Sequence, residues 1–491
     1  MLFHTSFFLF VFLPITLAAY FILGRWSWRA AIASLALASF IFYGTWSPIY
    51  VVLIGASITV NYLGSLAIDR LRRRGAMRQA RWTLGLFIAA NLLLLGYFKY
   101  LNFLLTQLDG AFGTSWDVAK IVLPIGISFY TFTQIAYLVD TLRNEVSERT
   151  FLTYILFVSY FPHLVAGPLL HHSEMMPQFA VRSNLRFNAG NFAMGLAFVA
   201  FGMFKKVVFA DGLAPMANSA FSASAGTLSA TAAWLGALAY TMQIYFDFSG
   251  YSDMAVGFSL FFNVKLPINF FSPYRATSII DFWHRWHMTL SRFLRDYLYI
   301  PLGGNRLGEG RRTMNLLVTM LLGGLWHGAN WTFVAWGLVH AIYLGINHQW
   351  RKVVRARQGE QAAGAWTHVA GWILTFVAVV VAWVFFRAHD LESAFRYLGV
   401  MFGIGGGGAA RPAVGSLKLL AVALMVAWLM PNTNQIMRYA FGAGAARARI
   451  GSIVQWQANP RWGIFVGLLI LVTAIVGVTS RDKLAFLYFQ F

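Results

Sequence analysis

The chain contains no cysteine. Disulfides, thiolate metal sites, palmitoylation and a cysteine nucleophile are therefore excluded. Any covalent intermediate on the chain would have to sit on oxygen or nitrogen. Charge is also scarce, at 11% of residues against about 25% in soluble domains. Acids are the scarcest: 17 Asp and Glu face 38 Lys and Arg, a formal net charge of +21. In a soluble protein that balance would suggest nucleic acid. Here the basic residues lie in short runs between apolar stretches, and no basic domain could stand alone, so nucleic-acid binding is set aside.

What fills the space is apolar. Of 491 residues 58% are hydrophobic, and the mean hydropathy is +0.61. A bilayer is the natural solvent for such a chain. A hydrocarbon core of ~30 Å needs about 20 helical residues. Candidate spans fall near 4–24, 29–46, 48–68, 82–107, 119–139, 151–170, 189–210, 228–247, 330–348, 367–386, 416–430 and 462–479. The expected fold is all-α and polytopic, with about 11–12 transmembrane helices. No Lys or Arg precedes the first apolar run, whereas Arg25 and Arg29 follow it. This predicts a retained first span that starts outside and ends in the cytoplasm. The arginine-rich loop 69–81, the loop 349–365 and the loop 431–461 read as cytoplasmic by the same rule. Both termini then lie outside the cytoplasm.

No repeat of fixed period and no linker to a soluble domain is visible, so 1–491 reads as one membrane domain. The Gly-rich stretch 404–415 lacks the Lys-Ser/Thr ending of a phosphate cradle and reads as a flexible loop. Residues 263–312 break the pattern, being too charged to face lipid and too aromatic for a solvated loop. Half-membrane or interfacial helices, or helices lining a water-filled cavity, satisfy both demands. The segment 263–348 is the expected catalytic core.

Residues 313–325 would make a helix of about 20 Å, short of the bilayer core, with Gly323 and Gly324 able to break it. Trp326, His327 and Gly328 follow, then a long apolar helix. An ionisable group at a broken-helix tip inside a membrane is a functional candidate. The alternative is a histidine satisfied by a neighbouring carbonyl. His287 lies three residues after His284, which lies three after Asp281. On one helix face these could bind a metal; an aromatic-lined acid/base or binding site, or interface packing, are the other readings. His340 lies 13 residues after His327, about 20 Å along a helix. His4, His163, His171, His172, His348, His368 and His389 lie near loops or segment ends, where hydration would explain them. Asp247 and Asp253 need partners within an aromatic segment, and a nearby arginine is the expected one.

The segments WHMTLSRFLRDYLYIPLGGNR at 286–306 and GGLWHGANWTFVAWGLVHA at 323–341 resemble the membrane-bound O-acyltransferase family, most closely its bacterial alginate O-acetyltransferase branch. The stretches 123–140, 161–170, 243–276 and the ending FLYFQF at 486–491 fit the same pattern. The resemblance covers nearly the whole chain. It implies a ring of helices around a thin centre, with a central tunnel in which a cytoplasmic acyl thioester meets an acceptor from the other side. His327, in the WHG motif, would be the principal catalytic residue, and His287 a second position near the tunnel. His284 departs from the family pattern and is given no role.

The resemblance further implies a bacterial inner-membrane enzyme for O-acetylation of an exopolysaccharide, alginate being the nearest in the family. Acetyl-coenzyme A would be the donor substrate rather than a bound cofactor. The acceptor would be the polysaccharide or an extracytoplasmic partner acetyltransferase. Arg292, Arg295 and Lys265 could draw the donor's phosphates by charge alone. The rival readings are a transporter, whose features include broken helices, and a non-catalytic scaffold for polysaccharide secretion.

Overall fold

The computed structural model describes the chain except for residues 1, 2, 4, 115–120, 166, 224–225, 359–364, 405–407, 409–413, 442–453, 480–485 and 488–491. Helices run in the order α1 Phe8–Gly24, α2 Trp28–Gly44, α3 Pro48–Arg73, α4 Met77–Phe112, α5 Ile127–Arg143, α6 Phe151–Ser159, α7 Phe161–Leu164 and α8 His172–Phe179. They continue as α9 Ala189–Ser222, α10 Ala230–Phe261, α11 Ile279–Trp283, α12 Met288–Leu294, α13 Gly308–His327, α14 Trp331–Gln358 and α15 Ala365–Arg387. The last four are α16 Leu391–Met401, α17 Val414–Leu429, α18 Thr433–Ile436 and α19 Pro460–Thr479. No strand occurs among the described residues. Five helices are long and apolar enough to cross a membrane by length and composition: α3, α4, α9, α15 and α19. The protein is an all-α, polytopic membrane protein.

Several sequence expectations are corrected at the helix ends. The arginine-rich segment 69–81 is not a loop: α3 runs to Arg73 and α4 starts at Met77, leaving a three-residue turn. Its charge is organised on Asp69, which pairs with Arg72 at 2.8 Å, Arg73 at 2.7 Å and Arg149. Likewise α14 carries the basic run after 349 as helix to Gln358. The span expected at 151–170 is broken. Tyr160 leaves helical geometry, and Pro162 then sits in the first turn of α7, where a proline can start a helix but cannot continue one. Nine residues of α6 reach only about 14 Å. His4 and most of the Gly-rich stretch 404–415 lie outside the described residues.

The chain forms two compact units. The first comprises 1–200 with 252–267, the second 201–251 with 268–491. The first is held by a phenylalanine cluster in which Phe8 meets Phe258 edge-on at 5.0 Å and Phe12 meets Phe161 at 5.5 Å. Such pairs add about 0.5–1.5 kcal/mol beyond the area they bury.

The second unit contains a buried charge triad. In α9 a wider helical turn spans Lys205–Ala210. Lys206 there is buried and pairs with Asp211 at 2.8 Å and with Asp247 of α10 at 2.7 Å. The backbone N–H of Leu487 donates to the other Asp247 oxygen at 2.7 Å. The acid expected to pair with an arginine therefore pairs with a lysine from another helix. At the start of α16, Asp390 caps the helix by accepting from the Ser393 backbone N–H at 2.7 Å. The Ser393 hydroxyl and N–H, the main causes, hold its carboxyl down to about 2.

Removing one member of a buried ion pair leaves the other uncompensated, at a cost of about 3–5 kcal/mol. Lys206→Met should therefore sharply lower the thermal midpoint of the purified protein in detergent. An unchanged midpoint would show that Asp247 and Asp211 need no cation.

Candidate acyl-transfer site

The site is built where α13 turns back into α14. Gly323 and Gly324 do not break α13; it runs unbroken through them and ends at His327. Their smallness serves helix packing instead. A Cβ on Gly324 would stand 2.2 Å from the Phe333 carbonyl oxygen, and one on Gly337 would stand 2.3 Å from the Met320 carbonyl oxygen. Backbone meets backbone there, as at the small-residue interfaces of membrane helices. Gly328 ends α13 in an extended conformation, and a Cβ on it would lie 2.1 Å from the Phe333 ring. The residue after His327 must therefore be glycine for Phe333 to keep its place.

His327 is buried in a cage of rings. Trp336 of α14 meets it edge-on at 5.1 Å, Phe386 of α15 at 5.2 Å and its neighbour Trp326 at 4.9 Å. The fourth ring is His287, with centroids 6.4 Å apart. The two histidines chosen from the sequence thus lie side by side although 40 positions separate them.

His287 does not sit on a helix face with His284. α11 stops at Trp283, and His287 takes the left-handed conformation (φ 42°) at the start of α12. A non-glycine residue in that conformation is uncommon and marks a position fixed by its surroundings. As a result His287 is buried while His284 is exposed, and Asp281 pairs with Arg285 at 2.8 Å. The metal trio weighed for 281, 284 and 287 is not assembled.

The second side-chain contact of His287 fixes its tautomer. Asn269 Oδ1 accepts from the Thr289 backbone N–H at 3.3 Å and from the Thr289 hydroxyl at 2.9 Å. His287 Nδ1 lies 3.1 Å from the same oxygen. An oxygen taking hydrogens from a backbone amide is an acceptor, so Nδ1 carries the proton and donates it to Asn269. In the neutral ring Nε2 then holds the lone pair.

One residue passed over in the sequence belongs here. The 13 residues from His327 to His340 would span about 20 Å along a helix. The chain reverses at 328–330 instead, and Trp336 touches both rings, His340 at 4.7 Å. His340 is fully buried, and neither ring nitrogen has a hydrogen-bond partner among the described residues. No sequence period signals this, because it depends on where the hairpin closes.

The histidines of the first unit also depart from their expected hydrated positions. His163 is buried, with Nε2 3.0 Å from the Phe157 carbonyl oxygen. His171 and His172 both bring Nε2 to Asp140 Oδ2, at 2.9 and 3.0 Å, and Arg143 approaches the other oxygen at 3.4 Å. These two histidines and Asp140 have the ligand types and spacing to hold a divalent cation. The same contacts equally satisfy a buried carboxylate with imidazole N–H donors. Of the residues weighed for donor phosphates, Arg295 is held by both oxygens of Asp296 at 2.7 and 3.1 Å, which spends much of its charge locally.

Residues 80–387 match the model of MBOAT, the membrane-bound O-acyltransferase family. The chain belongs to that family. The match spans both the α13–α14 hairpin and the His287 turn. A peptidoglycan O-acetyltransferase of Helicobacter pylori is 44% identical over 433 residues, 83% of this chain and 80% of its own. The protein named Probable alginate O-acetylase AlgI in Azotobacter vinelandii is 38% identical over the full length of both chains. A teichoic acid D-alanyltransferase of Streptococcus thermophilus is 27% identical over 53% of this chain and 68% of its own. Their names give an O-acetyltransferase, an O-acetylase and a D-alanyltransferase.

The Gly328 contact gives a steric test. Gly328→Ala forces the Phe333 ring to move and should cost about 1–3 kcal/mol through overpacking. Pairing it with Phe333→Leu should recover part of that loss in a thermal melt. A single Gly328→Ala variant as stable as the parent would refute the packing described.

Proposed function

We propose that the protein takes an acetyl group from cytoplasmic acetyl-coenzyme A and passes it across the bacterial inner membrane for O-acetylation of an exopolysaccharide of the alginate type. The observation that carries this reading is the buried pairing of His287 with His327, ring centroids 6.4 Å apart, inside a chain of the O-acyltransferase family. His327 is the general base. It takes the proton of an acceptor hydroxyl as that oxygen attacks the thioester carbonyl, and the coenzyme A thiolate leaves and recovers a proton. No enzyme-bound thioester intervenes, because the chain has no cysteine. His287, its Nδ1–H committed to Asn269, presents Nε2 to bind or orient a substrate group.

The aromatic cage suits this chemistry. It keeps water from the thioester, whose hydrolysis would waste the donor. The acceptor hydroxyl belongs either to the polysaccharide or to an extracytoplasmic partner acetyltransferase that relays the group. Coverage of the whole length of an alginate O-acetylase relative favours alginate. The 44% identity to a peptidoglycan O-acetyltransferase supports peptidoglycan as a second reading. In either reading the acceptor lies outside the cytoplasm.

General-base catalysis contributes about 10²–10⁴-fold. His327→Ala should lower acetylation by at least that lower bound while the protein accumulates normally in the membrane. Supplying alginate and peptidoglycan fragments side by side reads the acceptor in the same assay. Full activity of His327→Ala would sink the proposal.

A further inference from the structure

A cavity of about 680 Å³ opens in the first unit. Its wall comes from two places: the turn joining α1 to α2, with Arg25, Trp26 and Trp28, and the short turn Arg182–Leu185, with Arg182, Ser183 and the following Arg186. The size lies within the ~300–1,000 Å³ of small-molecule sites. No carboxylate lines it, and none of the three arginines has an ion-pair partner among the described residues.

The backbone that carries Arg182 and Arg186 is anchored. Asn263, itself in the left-handed conformation (φ 61°), donates from one side-chain amide to the carbonyls of Asn184 at 2.9 Å and Arg186 at 2.8 Å. Asn184 in turn donates to the Gln178 carbonyl at 2.9 Å. A Cβ on Gly24 would stand 3.1 Å from the Leu185 Cβ, so the turn seats closely on the end of α1. Arg25, Arg182 and Arg186 are exposed residues lining one cavity, and an anion placed among their like charges would be attracted by all three. Their planar donors match the oxygens of a phosphate better than a point charge would.

The position selects the anion. Apolar α1 ends at this turn, and Trp26 follows with 79% of its surface exposed, the pattern of an indole at the bilayer boundary. Alternation of α1, α2 and α3 puts the turn on the same side as the six arginines of 69–81, the cytoplasmic side by charge. That leaflet carries anionic lipid.

We propose that Arg25, Arg182 and Arg186 bind the phosphate of an anionic phospholipid headgroup from the cytoplasmic leaflet, with Trp26 and Trp28 flanking its glycerol. The site is separate from the acyl-transfer reading and stands or falls without it.

Native mass spectrometry of the full-length protein, offered equal phosphatidylglycerol and phosphatidylcholine with identical chains, tests this. The parent should retain phosphatidylglycerol about tenfold over phosphatidylcholine. The triple variant R25Q/R182Q/R186Q should lose that preference, and R74Q, an exposed arginine of the α3–α4 turn, should keep it. Should the triple variant melt early, the single R182Q and R186Q variants must each show a partial loss. A preference undiminished in all of these overturns the site. Displacement of the lipid by an equal concentration of soluble inorganic pyrophosphate would overturn the lipid as the ligand and assign the arginines to a free phosphate compound.

Discussion

The close approach of α13 and α14 is the constraint on which the site depends. Carbonyl oxygens of Phe333 and Met320 occupy the space that side chains at Gly324 and Gly337 would need. Only this approach lets Trp336, near the start of α14, meet His327 at the end of α13. Gly328 completes the arrangement by leaving room for the Phe333 ring, which packs at 4.9 Å on Phe386, another wall of the cage. The glycine and histidine of the WHG motif therefore serve one purpose. The glycine makes room for the cage, and the cage holds the histidine.

A second device brings His287 to the same cage. Its left-handed backbone turns the chain between two short helices, and Asn269 ties its ring nitrogen to the next turn through Thr289. Both devices store position in backbone geometry rather than in charge. In an apolar interior an unpaired charge would be costly. Where charge is buried in this unit, as at Lys206, it is paired on two sides.

Much of this was legible in the residues. Apolar run lengths gave the all-α membrane fold, and residue type with local polarity singled out His287 and His327. What was not legible has physical reasons. A Gly-Gly pair breaks a helix or packs it closely, and the choice lies with the partner helix, here Gly337 of α14. A net-positive segment reads as a loop, yet Asp69 could gather three arginines along helix ends and a distant turn. His340 is not legible this way because distance along one helix is meaningless once the chain reverses. The pairing of His171 and His172 with Asp140 joins positions about thirty residues apart, beyond any local period.

The central claim is that two buried imidazoles serve chemistry rather than passage. Acetyl transfer by the purified protein in detergent tests it most directly, since no compartments or gradients exist there. Labelled acetyl groups should leave coenzyme A and appear on the hydroxyls of an added acceptor. Labelled substrate that moves across protein-containing vesicles, with no transfer to any hydroxyl in detergent, would contradict the account and identify a transporter.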